Sequence, residues 1–277
     1  MVEGVGVAYG AITVVNAIPA FKGAAIGVDL KVVARVKLVE KEIVEGRSRV
    51  RGKNVHYDTS LLEGVLRVLK KRIGLETGLI VEIESEIPAC GGLKTSSAVA
   101  NAVIAGISDA LDLGLPPLKV AEMSAEANLI SGVSITGAFD DACASLLGGL
   151  CITDNGEKKL VKRVEVPSFK TIILAPSFTV KKSHLKIERL KLMKTFFEKI
   201  WNIALSGDWR EALFLNGILC SLALGYDTSL ALEAITRGAV TAGLSGTGPA
   251  IAIVGDVVEW ARKLNFKGEV VETCLRG

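Results

Sequence analysis

The stretch Ile87-Pro88-Ala89-Cys90-Gly91-Gly92-Leu93-Lys94-Thr95-Ser96-Ser97-Ala98 decides how this chain is read. Before it, Gly78 to Glu86 alternates apolar and polar residues with the period of a half-buried strand. After it, an Ala-rich segment of helical character runs to near Leu113. Strand, glycine turn, hydroxyl cluster and helix, in that order, build an anion site. Gly91 and Gly92 let the backbone approach a ligand closely. Thr95, Ser96 and Ser97 fall where a first helical turn leaves its amide protons unpaired. Those amides and the helix dipole favour a phosphate. The hydroxyls suit phosphate oxygens or a magnesium ion. An ordinary N-cap needs one hydroxyl, not three with two glycines and a lysine.

Commoner nucleotide motifs are absent. The P-loop needs a lysine directly after its second glycine. The region Gly46 to Lys53 comes nearest but has the wrong spacing, and Asn54 follows. No G-x-G-x-x-G with a distal acid supports a dinucleotide fold.

The bulk numbers narrow the classes further. The chain has 277 residues, 49% apolar and 23% charged, enough for one large or two modest cores. Mean hydropathy is +0.42, yet the apolar runs are interrupted well short of the ~20 residues a membrane span needs. No leader pattern opens the chain, so a cytoplasmic protein is expected. Net charge is +3 and dispersed. The basic runs Arg47 to Lys53 and Lys70-Lys71-Arg72 lack interleaved aromatics, which argues against a nucleic-acid partner. Cys90, Cys143, Cys151, Cys220 and Cys274 are odd in number and irregularly spaced, unlike a disulfide framework or zinc site. Cys90 lies inside the glycine loop, where an alkylating reagent could block a ligand. His56 and His184 are the only histidines, and no nucleophile elbow is present, which excludes a histidine-built zinc site and argues against a Ser-His-Asp hydrolase. His184, beside Lys181 and Lys182, is a candidate for binding an acidic substrate.

Strands are expected at 5–16, 25–39, 41–51 and 78–86, and helices at 60–72, 95–113, 117–130 and 138–147. The first two strands flank a turn carrying Asn16 and Lys22. A strand at 150–154 leads into the turn cluster Asp154 to Lys159, the best domain boundary. The second half reads as strands at 160–166 and 170–175, helices from about 186 to 237, a strand to 254, a helix at 256–264 and a strand at 268–274. Within it Ser245, Gly246, Thr247 and Gly248 form a second glycine loop, read either as a tight hairpin turn or as a second wall of a ligand site.

Phosphoryl transfer needs a metal against the triphosphate charge and a group that orients or deprotonates the attacking hydroxyl. Glu126 on a helix, and Asp140-Asp141 at a helix start, supply carboxylates for both tasks. Alone, the two aspartates would read as partners of the helix dipole.

With these residues in view, the chain resembles the GHMP kinases, whose motif P-x-x-x-G-L-x-S-S-x-A is matched at Pro88, Gly92, Leu93, Ser96 and Ala98. Thr95 replaces the first serine, and Cys90 and Lys94 stand where glycine is usual. Lys94, the opening Gly10 to Ala17 and the phrase Thr136 to Ala142 resemble the archaeal-type shikimate kinase branch, and Gly243 to Ala250 resembles the third family motif. The resemblance implies an α+β kinase of two domains, 1–156 and 157–277, with ATP and substrate in the cleft between them. It implies that Pro88 to Ala98 hold the ATP phosphates and that Ser96 and Glu126 coordinate Mg2+. Asp140 takes the place of the catalytic aspartate of mevalonate kinase. Asp141 stands where homoserine kinase has asparagine, leaving the division of labour between the aspartates open. The implied acceptor is shikimate, with homoserine or another small molecule as the alternative and a non-catalytic sensor as a reading of a different class. Asn16, Lys22, Lys181, Lys182 and Arg237 are candidates for holding the acceptor, whose carboxylate needs a cation.

Overall fold

The computed structural model describes residues 2–56, 58–178 and 185–277. The Val- and Ala-rich strands β1 (Val2–Val15) and β2 (Lys22–Val39) pair antiparallel from Val2 opposite Leu38 to Val15 opposite Ala24. β2 is long enough to take two neighbours on its other edge. Its second half pairs with β5 (Gly78–Ser85), and its first half with β6 (Leu150–Asp154). β3 (Val44–Val50) runs parallel to β5, and β4 (Lys53–Val55) and β7 (Lys159–Val164) close the two ends of this seven-stranded sheet. The sheet therefore continues past residue 156.

The basic run Arg47 to Lys53, whose sequence suits an exposed strand or a hairpin, forms a hairpin with β4 as its second strand. The segment read as one strand over 41–51 stops at Val50, and Arg51 and Gly52 both take positive φ (49° and 80°), the geometry of a two-residue hairpin turn.

Four helices cover the sheet: α1 (Ser60–Ile73), α2 (Thr95–Ala110), α3 (Pro117–Ile130) and α4 (Phe139–Leu147). On α1 the buried apolar stripe is Leu61, Leu62, Val65, Val68 and Leu69, with Leu66 at its margin. α2 lies directly on β1, where a side chain at Gly4 or Gly6 would overlap the backbone carbonyls of Gly106 and Ala102.

The second sheet has the order β11 (Gly268–Cys274), β8 (Lys170–Pro176), β10 (Ile251–Val254), β9 (Thr241–Leu244). Helices α5 (Ile187–Leu192) and α6 (Lys194–Ser206) pack on α7 (Trp209–Leu224), α6 also on the first sheet, while α7, α8 (Ser229–Thr236) and α9 (Val258–Arg262) pack on this second sheet. The helices expected over 186–237 are four in number, separated at Met193, at Gly207-Asp208 and between Gly225 and Thr228. β9 was missed because four residues give too short a pattern to separate from the loop after it. All five cysteines are free thiols. Among the described residues no helix is long and apolar enough to cross a membrane.

Candidate active site

The two glycine loops close on each other. Gly91 and Gly92 follow β5, and Gly246 to Gly248 lie in the turn between β9 and β10. A Cβ on Gly91 would overlap the Gly248 carbonyl oxygen, and one on Gly92 the Ser245 carbonyl oxygen. Gly92 also has φ 104°, open in practice only to glycine. The Ser245 hydroxyl donates to the Gly92 carbonyl at 2.6 Å and accepts from the Thr13 amide at 3.1 Å. The Ala250 amide donates to the Gly91 carbonyl at 3.2 Å. The second loop is therefore both a hairpin turn and a cleft wall.

Between these loops, the turn after β1 and the start of α4 lies a cavity of about 250 Å³. Cys90, Gly91, Gly92, Lys94, Thr95, Ser96 and Ser97 line it from the first loop, with Gly246, Thr247 and Gly248 from the second. Asn16, Asp140 and Asp141 line it as well. Pro88, Leu93 and Ala98 are buried behind this surface, and Ala89 is exposed outside it. The three hydroxyls divide. Ser97 is buried and its hydroxyl accepts from the Asn128 amide at 3.2 Å, tying α2 to α3. Ser96 is exposed and Thr95 half-buried on the wall.

Asp140 and Asp141 occupy the first turn of α4 and are both buried. Asp140 Oδ1 accepts from Asn155 Nδ2 at 2.7 Å, while Asn155 Oδ1 accepts from the Thr153 hydroxyl at 2.6 Å. The Asn155 amide is thereby fixed with its donors toward the carboxylate. Burial pushes the Asp140 carboxyl above its usual range, opposed by the charge of Lys94 and the hydrogen bond from Asn155. Lys94 Nζ lies 3.1 Å from Asp141 Oδ1.

Other sequence-derived sites fall elsewhere. Glu126 does not line the cleft. It sits two positions from both Ser124 and Asn128, which face α2, and so on roughly the opposite side of α3. Its carboxylate is held there by Lys71 at 3.0 Å and Arg72 at 2.7 Å from the end of α1. Burial alone would raise that carboxyl, but the hydrogen bonds from Arg72 and Lys71 prevail and hold it below its ordinary value. Asn16 lines the cleft, but its Nδ2 donates to the Gly246 carbonyl and its Oδ1 accepts from the Ile18 amide. Lys22 lies over the Trp201 ring, 5.1 Å from its centroid, and Arg237 pairs with Glu233 at 3.3 Å on exposed α8; neither lines the cleft. Lys181, Lys182 and His184 lie outside the described residues.

Sequence reasoning missed Asn155 and Asn128. Asn155 looked like part of a turn cluster. Asn128 is fully buried on the cleft wall, with an Oδ1 that has no hydrogen-bond partner. An isolated asparagine carries no local signal for either role.

Residues 60–149 match the model of the GHMP kinases N terminal domain. The chain is 43% identical over 276 residues to a shikimate kinase of Pyrococcus furiosus, covering 99% of this chain and 100% of that one. It is 40% identical over 282 residues to a shikimate kinase of Methanosarcina acetivorans, covering 99% and 94%. In three dimensions it resembles Lactococcus lactis galactokinase complexed with galactose, with a TM-score of 0.76, 13% identity, and 99% and 94% of the two chains covered. Family motif, full-length relatives and the α+β fold converge: the chain belongs to the GHMP kinases.

Proposed function

We propose that the protein is a shikimate kinase, transferring the γ-phosphoryl group of ATP to the 3-hydroxyl of shikimate to give shikimate 3-phosphate and ADP. The observation that carries the reading is a buried aspartate, Asp140, sharing one cleft with a phosphate-loop helix start, in a chain whose full-length relatives bear that name. The acceptor oxygen forms a bond to the γ-phosphorus as the bond to the β,γ-bridging oxygen breaks, and ADP leaves with that electron pair. Asp140 accepts the hydroxyl proton, and its raised affinity for a proton suits that task. Thr95, Ser96 and the amides of the first turn of α2 receive the phosphates.

Magnesium fits this site through the hydroxyls of Thr95 and Ser96 and the Oδ1 of Asn128, hard oxygen donors on one wall. Among the described residues no three His, Cys, Asp or Glu side chains cluster to hold a metal. That suits an ion held largely by substrate phosphates. Bound there, it would offset the phosphate charge. Glu126, engaged with Arg72 and Lys71, drops out of this set. The two-domain reading is part of the proposal, with the division drawn between Val164 and Lys170, where one sheet ends and the other begins.

A coupled ADP-release assay with shikimate, homoserine and mevalonate in parallel tests the function. Turnover with shikimate alone is expected. Turnover with another acceptor but not shikimate would overturn the substrate and leave the fold standing.

A further inference from the structure

Lys94 is a residue whose backbone and side chain pull in different directions. It precedes α2 at φ 65°, a left-handed conformation that glycine adopts freely and lysine does not. Glycine would build this loop with less strain, so what lysine adds is its side chain. That side chain is only 12% exposed, and Nζ stands 3.1 Å from Asp141 Oδ1. Nζ also reaches the second loop, since a Cβ on Gly246 would lie 3.0 Å from it. Among the described residues that line the cleft, Lys94 is the only cation, facing the two carboxylates of Asp140 and Asp141.

The location matters for the chemistry. The moving phosphoryl group passes from the hydroxyls at the start of α2 to an acceptor beside Asp140 at the start of α4. Lys94 joins those two places, its backbone adjoining Thr95 and its ammonium on Asp141. Without it, the cleft would offer two carboxylates to a polyanion. We propose that Lys94 is a catalytic residue whose ammonium contacts the γ-phosphoryl group and offsets the charge on its oxygens during transfer. Asp141 is the positioning residue that holds the ammonium there. The proposal rests on the kinase reading above. It gives the adjacent aspartates separate tasks: Asp140 faces the acceptor and Asp141 faces Lys94.

The test compares the full-length wild type with Lys94→Gly and Lys94→Met. Glycine removes the charge and relieves the backbone, while methionine removes the charge and keeps the backbone demand. Both variants should lose about 100-fold or more in kcat, as for loss of a preorganised electrostatic partner. Both variants deprive the buried Asp141 carboxylate of its cation and should melt lower than the wild type, Lys94→Gly less so than Lys94→Met because it relieves the backbone. Both should bind ADP, which lacks the γ-phosphate, as the wild type does. Added ethylammonium should restore part of the Lys94→Gly rate, which a purely structural loss would not allow. A wild-type kcat in Lys94→Gly overturns the proposal, as does a rate loss that ethylammonium leaves untouched. A raised KM for shikimate with unchanged kcat would reassign the ammonium to the acceptor carboxylate and also overturn it. A wild-type enzyme inactive on shikimate would instead overturn the underlying reading.

Discussion

Gly23 makes room for Asp140: a Cβ on Gly23 would lie 2.6 Å from both Cγ and Oδ2 of the Asp140 carboxylate. Gly23 sits on β2 opposite Thr153 of β6, and Thr153 fixes the Asn155 amide that donates to Asp140. Two paired strands therefore frame one carboxylate. Gly23→Ala should displace Asp140, lower kcat by about tenfold or more, and cost roughly 1–3 kcal/mol of stability through overpacking. Steady-state kinetics and thermal melts check it; a fully active, fully stable Gly23→Ala contradicts the close contact.

Glu126 should act on stability rather than on nucleotide use. Its partners Arg72 and Lys71 are partly exposed, so the pairing contributes about 1 kcal/mol after solvent screening. Because the folded-state carboxyl is held low, that contribution is present above about pH 4.3, the unfolded value, and is lost as pH falls through the folded value. Glu126→Gln should therefore melt lower at neutral pH, with the difference shrinking in acid, while its magnesium requirement stays that of the wild type. A raised magnesium requirement would restore Glu126 as a metal ligand.

Magnesium dependence should follow the other oxygens. EDTA should abolish turnover and added magnesium restore it. Ser96→Ala and Asn128→Ala should each raise the magnesium concentration for half-maximal rate by about tenfold or more, on the scale of losses seen at metal sites. Titration of magnesium at saturating ATP measures this, and an unchanged requirement in Asn128→Ala removes it from the set.

Cys90 lies half-buried on the cleft wall, and its thiol should be a slow nucleophile. Burial, assisted by the negative charge of Glu269, pushes it up to about 11. The thiolate is the reactive form, so alkylation at pH 8 should be about 100-fold slower than for an ordinary thiol near 8.5 and should climb steeply toward pH 11. Bound nucleotide should slow it further. Rapid labelling at neutral pH would contradict the burial.

The strand, glycine loop and helix that wall the cleft were legible in the sequence because their signal is local: strand, glycines, hydroxyls and helix lie within a few residues of one another. So was the acidic pair Asp140-Asp141. What escaped was set by contacts distant in sequence. Asn155 depends on the pairing of β6 with β2 and on the start of α4. Glu126 was misplaced because Lys71 and Arg72 looked like ordinary cations at the end of α1, and only the packing of α1 on α3 brings them together. The second glycine loop read ambiguously because its dual role, turn and wall, exists only once Gly91 and Gly92 pack against it.

The central claim is that Asp140 receives the acceptor proton in an ATP-dependent phosphorylation of shikimate. The most direct measurement is shikimate-dependent ADP release by Asp140→Asn beside the wild type, with ATP affinity measured on both. The substitution keeps size and one acceptor oxygen but removes the charge. The account predicts a fall in kcat of about 10²–10⁴-fold with a near-normal ATP dissociation constant. A wild-type kcat in Asp140→Asn would contradict it.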